Sequence, residues 1–158
     1  MKMRTIILFF LALTLGFSAC KKNNSLSPEE QLTKDENLIK EFIAKNNIPA
    51  VRHQTGVYYQ IIEPGTGSAV FSANTTVNAK YTGRLLNGNV FDQTSTNPIS
   101  FKLGQVIPGW QIGVPLIQKG GKIRLLIPSG YGYGDQQVRS IPANSVLDFD
   151  IELVDVQN

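Results

Sequence analysis

The chain offers chemistry one histidine, His53, and one cysteine, Cys20. Single copies leave no material for a Ser-His-Asp or Cys-His nucleophile, or for a multi-histidine metal site. His53 reads as a surface residue. Gly130-Tyr131-Gly132-Tyr133-Gly134 is rich in glycine, but it lacks the Lys-Ser/Thr of a phosphate loop and no helical pattern follows it. Ser129 lacks the glycine two residues earlier that a nucleophile elbow requires. Asp148, Asp150 and Glu152 stand at alternate positions; carboxylates so spaced on a strand lie about 7 Å apart and parallel, which suits a wetted sheet face better than a shared metal ion. What remains is aromatic. Tyr81, Phe91, Trp110, Tyr133 and Phe149 all fall near turns with few polar groups among them. Any one of them is explained as core, but as a set they suit a cleft for an apolar group.

Those side chains need elements to hold them. Pro108 and Gly109 stop the Val106-Ile107 run before Trp110, the only tryptophan, and Gly113 and Pro115 leave room for barely two turns of helix. So short a helix must lie on other structure. Strand-like runs cover Val57 to Glu63, Thr75 to Leu85, Ile99 to Lys102, Lys122 to Ile127 and Leu147 to Val156, separated by turn clusters such as Pro64-Gly65 and Asn87-Gly88. Leu147, Phe149, Ile151 and Leu153 alternate with the three carboxylates. No helix-length segment separates the runs, so the sheet is expected to be antiparallel. The expected fold is α+β, with five or six antiparallel strands curled around one short helix and a helical extension at the N-terminus. That extension starts at Ser27-Pro28-Glu29-Glu30, which supplies an N-cap, a first-turn proline and a capping-box glutamate. Leu32, Leu38, Ile39, Phe42 and Ile43 form its apolar stripe, and it should end near Asn46-Asn47. The stripe could pack on the following domain or pair with a second copy; packing is expected, and with it a monomer.

Of the 158 residues, numbers 1–19 read as targeting rather than fold. Met1-Lys2-Met3-Arg4 is a basic head, Thr5 to Gly16 is apolar, and Phe17-Ser18-Ala19 precedes Cys20. The apolar run is shorter than the roughly 20 residues a spanning helix needs. It resembles a bacterial lipoprotein signal with its lipobox, in which Cys20 would be lipidated; the alternative is an incidental free thiol after an ordinary signal peptide. Residues 20–50 then form a tether and the helix, and 51–158 one domain. The formal charge of +3 loses two positive charges with Lys2 and Arg4, so nothing marks a nucleic-acid surface.

From about Gly56 to Asp155 the chain resembles the FKBP-type peptidyl-prolyl isomerases. The segments that carry the resemblance include Tyr81-Thr82-Gly83, Val90-Phe91-Asp92, Phe101-Lys102-Leu103-Gly104, Val106-Ile107-Pro108-Gly109-Trp110, Tyr131-Gly132-Tyr133-Gly134, Ile141-Pro142 and Phe149-Asp150-Ile151-Glu152-Leu153. The resemblance implies a prolyl pocket floored by Trp110 and walled by Tyr81, Phe91, Val106, Ile107 and Phe149, with Ile99 in a wall position and Ile141 in the flap. Asp92 and Tyr133 would be the polar groups beside it. Gln105 stands where a rim acid is frequent, and the Phe91 to Pro98 loop has no arginine to pair with Asp92. It further implies cofactor-free, metal-free isomerisation of Xaa-Pro bonds in exported proteins, with proline-containing polypeptides as substrates and macrolides as conceivable ligands. The chain would be anchored by lipid to a bacterial membrane, the outer membrane foremost, facing periplasm or surface. A non-catalytic peptide-binding chaperone on the same fold is the alternative.

Overall fold

The computed structural model describes residues 26–158. The leader, Cys20 and the Lys21-Lys22 pair lie outside the described residues. Helix α1 (Pro28–Asn46) begins as its sequence predicts: Glu30 N donates to Ser27 Oγ at 3.2 Å and Ser27 N donates to Glu30 Oε2 at 2.8 Å. It stops at Asn47, whose φ of 53° is left-handed. Seven strands follow, with one short helix among them: β1 (Val51–Arg52), β2 (Tyr58–Glu63), β3 (Thr76–Leu85), β4 (Val90–Gln93), β5 (Ile99–Lys102), α2 (Pro108–Gly113), β6 (Lys122–Ile127) and β7 (Leu147–Gln157). Every pairing is antiparallel, in the order β1-β2-β6-β7-β3-β4, and β5 takes a further stretch of the β3 edge. Five of the strands lie on the five predicted runs. The additions, β1 and β4, are edge strands of two and four residues.

Alternation along the strands separates two faces. Leu125, Phe149 and Gly83 share one register line, and Ile123, Ile151 and Tyr81 the next but one. These inward residues bury the main core with Trp110, Val114 and Ile117. On the opposite face α1 lays Ile39, with Phe42 and Ile43 beside it, on Tyr58, Leu126 and Val146. The apolar stripe of α1 is thus used on this chain's own sheet.

That docking changes the reading of the carboxylate row. Asp148 is not wetted but 1 % exposed. Arg124 forks onto it through Nε and Nη2, both at 2.8 Å, and Arg84 Nε approaches at 3.4 Å while its Nη2 reaches Asp150. The ring of Phe42 covers the Arg124 guanidinium at 5.7 Å. Sequence alternation assigned Asp148 to the outer face correctly, but it did not reveal that α1 covers that face.

Candidate active site

Helix α2 sits closer to the sheet than side chains normally allow. A Cβ on Gly109 would lie 2.5 Å from Ile127 Cγ2, and one on Gly113 would lie 2.4 Å from Leu125 Cδ2. The two glycines face β6 and let the helix backbone rest on it, which is why a helix this short holds its place. Trp110 lies between them in sequence and is 4 % exposed. Its ring meets Tyr81 at 5.2 Å, Phe149 at 5.5 Å and Phe101 at 5.7 Å, each edge to face. On β3, Gly83 has no side chain because the Phe149 and Phe91 rings cross over it, with atoms 2.6 and 2.8 Å from where its Cβ would be.

Above Trp110 opens a cavity of about 270 Å³ lined by Tyr81, Asp92, Phe101, Gln105, Val106, Ile107, Trp110, Tyr133 and Phe149. Its size falls just below that of small-molecule pockets, roughly 300–1,000 Å³, and suits a small group rather than a large ligand. The polar groups are few. Tyr81 donates its hydroxyl to Asp92 Oδ2 at 2.7 Å. Burial first, then that hydrogen bond and the Asp92 charge, push the Tyr81 phenol far above the ordinary tyrosine range. Tyr133 is pushed up as well, chiefly by burial and then by Asp92, with Arg139 pulling weakly the other way. Both hydroxyls therefore remain protonated, hydrogen-bonding groups at neutral pH.

Seven of the residues expected at the site from sequence, Tyr81, Asp92, Val106, Ile107, Trp110, Tyr133 and Phe149, line this one cavity. Three do not. Phe91 stands behind the wall, its ring at 5.5 Å against Phe149. Ile99 is 45 % exposed on β5, paired with Ala79 and off the cavity, while Phe101, two residues along on the same face and paired with Val77, lines it. Ile141 is buried in the main core. Phe101 was missed as a wall residue; its signal was the alternation Ile99-Ser100-Phe101, which leaves the choice of wall residue to the strand's position on the sheet.

An antiparallel sheet closed on one short helix, with a cavity lined by aromatic rings beside Asp92 and Tyr133, defines the class of fold to which this chain belongs. The chain belongs to the FKBP-type peptidyl-prolyl cis-trans isomerase family, whose model matches residues 67–154. It is 38 % identical over 143 residues to the FKBP-type peptidyl-prolyl cis-trans isomerase FkpA of Buchnera aphidicola subsp. Schizaphis graminum, covering 89 % of this chain and 56 % of that protein. With FkpA of Escherichia coli K12 it shares 48 % over 105 residues, 65 % of this chain and 38 % of the relative. The chain therefore spans only about half, or less, of these relatives' length. The crystal structure of E. coli FkpA superposes with a TM-score of 0.70 at 41 % identity, covering 82 % of this chain and 62 % of the other. The peptidyl-prolyl cis-trans isomerase PPIase of Pseudomonas syringae pv. tomato superposes with 0.67 at 35 % identity, covering 85 % and 99 %.

Proposed function

We propose that this chain is a peptidyl-prolyl cis-trans isomerase that accelerates rotation about Xaa-Pro bonds in exported proteins by non-covalent means. The observation that supports the reading is the cavity of about 270 Å³ over Trp110, lined by the rings of Tyr81, Phe101 and Phe149 together with Asp92 and Tyr133. Twisting a peptide bond costs about 18–20 kcal/mol because it destroys amide resonance. The planar amide is more charge-separated than the twisted one, so seating it against rings that exclude water raises the ground state relative to the transition state. Tyr133 Oη donates to a substrate carbonyl and orients the peptide. Asp92, held by Tyr81, favours the twisted carbonyl or fixes its neighbours. Neither residue forms a bond to substrate. An uncatalysed prolyl bond takes tens to hundreds of seconds to isomerise, long enough to delay folding.

A protease-coupled assay on Xaa-Pro peptides tests this. Turnover above the uncatalysed rate that falls in Asp92→Ala and Tyr133→Phe supports it; peptide binding without acceleration leaves the binding-module alternative instead. A macrolide, larger than the cavity, would have to spread over the rim. The leader and Cys20 complete the proposal: cleavage before Cys20, lipidation of its thiol and tethering to a bacterial membrane, outer membrane foremost. The proposed arrangement is a tether and helix over residues 20–50 ahead of a monomeric isomerase domain over residues 51–158. Metabolic labelling with an alkynyl fatty acid that persists in Cys20→Ser would refute the anchor.

A further inference from the structure

The packing of α1 does not explain Asp35. It lies among the residues α1 turns toward the domain and is 0 % exposed, where an apolar side chain would serve docking better. Its carboxylate accepts hydrogen bonds from Ser129 N at 2.8 Å, Ser129 Oγ at 2.6 Å and Gln31 Nε2 at 2.7 Å. All three donors are neutral. A buried carboxylate is costly unless strong donors meet it, and two of these three come from one residue 94 positions away in sequence.

That residue begins the turn leading to the site. Ser129 opens the 3-10 segment Ser129–Tyr131, and its carbonyl accepts from Gly132 N at 2.9 Å and from Gly134 N at 2.8 Å. These two amides flank Tyr133. Gly134 O in turn accepts from Asn144 N at 2.8 Å, which ties the far side of the loop. Ser129 is therefore fastened on both sides, by its amide and hydroxyl to α1 and by its carbonyl to both neighbours of Tyr133.

We propose that Asp35 is a positioning residue, which fixes the Ser129–Gly134 turn against α1 and thereby holds the Tyr133 hydroxyl at the mouth of the cavity. Its catalytic consequence rests on the isomerase reading above; its structural consequence does not. Residues outside the sheet domain would then help set the geometry of the site.

The test uses the full chain carrying Asp35→Asn, Ser129→Ala or Ile39→Val, each with Tyr133 and with Tyr133→Phe. Ile39→Val trims the same helix interface without touching the turn. Asp35→Asn and Ser129→Ala are expected to lower kcat/KM on an Xaa-Pro peptide by roughly 3- to 10-fold, mainly through kcat, because small displacements of an orienting group are expensive. The loss should shrink to under about twofold in the Tyr133→Phe background, as expected for residues acting through one another. Ile39→Val should leave kcat/KM unchanged. Amide exchange at Gly132 and Gly134 should quicken in Asp35→Asn and not in Ile39→Val. Equal losses in both backgrounds, or wild-type kcat/KM in Asp35→Asn, would reduce Asp35 to a docking contact. Should Asp35→Asn fail to fold, Ser129→Ala carries the test, since it keeps the amide bond to Asp35. If the wild type shows no isomerase activity, the functional reading falls. Gly132 and Gly134 exchange and the Tyr133 ring resonances then decide the positioning alone: a shift in Asp35→Asn supports it, and no change overturns it.

Discussion

Gly113→Ala isolates the height of α2 above the sheet. The new methyl would lie 2.4 Å from Leu125 Cδ2, 2.5 Å from Cδ1 and 3.0 Å from Cγ. Carbon contacts are comfortable from about 3.5 Å, so roughly 1 Å must be found. Leu125 is fully buried in β6 and has little freedom to yield, which leaves α2 to rise. Overpacking of this kind costs about 1–3 kcal/mol, and the better helix propensity of alanine returns up to about 1. A net loss near 1–2 kcal/mol is expected, read as a lower urea midpoint at unchanged slope. Trp110 rides on the same helix, one turn earlier, so its ring moves with it against the walls of a cavity of only about 270 Å³. A floor displaced by about 1 Å should cost tenfold or more in kcat/KM in the protease-coupled assay. Adding Leu125→Val shortens the obstructing side chain and should restore part of the activity, a non-additive gain. If Gly113→Ala lowers the midpoint as expected but keeps kcat/KM within about twofold of wild type, the contact of α2 with β6 does not set the pocket floor.

Trp110→Ala should cost about 3–5 kcal/mol of stability and also abolish measurable peptide binding by calorimetry; a stability loss with unchanged Kd would make the ring ordinary core. Asp148→Ala leaves the Arg124 and Arg84 guanidinium groups facing each other under α1 and should cost about 3 kcal/mol, the lower part of the usual range because both arginines are partly solvated; a urea-measured loss below about 1 kcal/mol would contradict the buried network. Tyr81 and Tyr133 both hold their protons to higher pH than free tyrosine, near 10. Their contribution to stability is present in full below about pH 10 and lost as the pH rises through the folded-state values, since the unfolded chain ionises first. Activity should therefore be flat from about pH 7 to 9, and phenolate absorbance from either tyrosine in that range would refute the burial.

The parts of this fold that a sequence reader can find are those with local signatures. Ser27 to Glu30 spells its own capping box, and Leu147 to Leu153 alternates cleanly, so α1 and β7 were readable to within a residue. The site was readable where a residue type had no other use: Trp110 between a Pro-Gly and a Gly, and Tyr133 inside a glycine loop. It was unreadable where position on the sheet decides. Ile99 and Phe101 lie two apart on one short strand and are both apolar, and only the geometry of β5 on β3 sends Phe101 to the cavity and leaves Ile99 exposed. Long-range pairing hid the rest. Asp35 carries no sequence signal that marks it out, and Asp148 reads as one of three wetted acids, until the partners Ser129, Arg84 and Arg124 arrive from distant parts of the chain.

The end of β6 is where these long-range contacts converge. Leu125 meets Gly113, Ile127 meets Gly109, and two residues further Ser129 meets Asp35. Leu125 and Ile127 thus set the height of α2 on one face, and Ser129, in the turn just past the strand, anchors the Tyr133 turn to α1 on the other. Alternating with Leu125 and Ile127 along the strand, Arg124 and Leu126 carry the outer face, one under Phe42 and one against Ile39. A floor resting on the strand and a turn that starts two residues past its end hang from one rigid element, so displacing that strand moves both. The same arrangement gives α1 a physical route to the site. Its apolar contacts hold the helix to the sheet, and a single buried carboxylate passes that fixed position on to the loop carrying Tyr133.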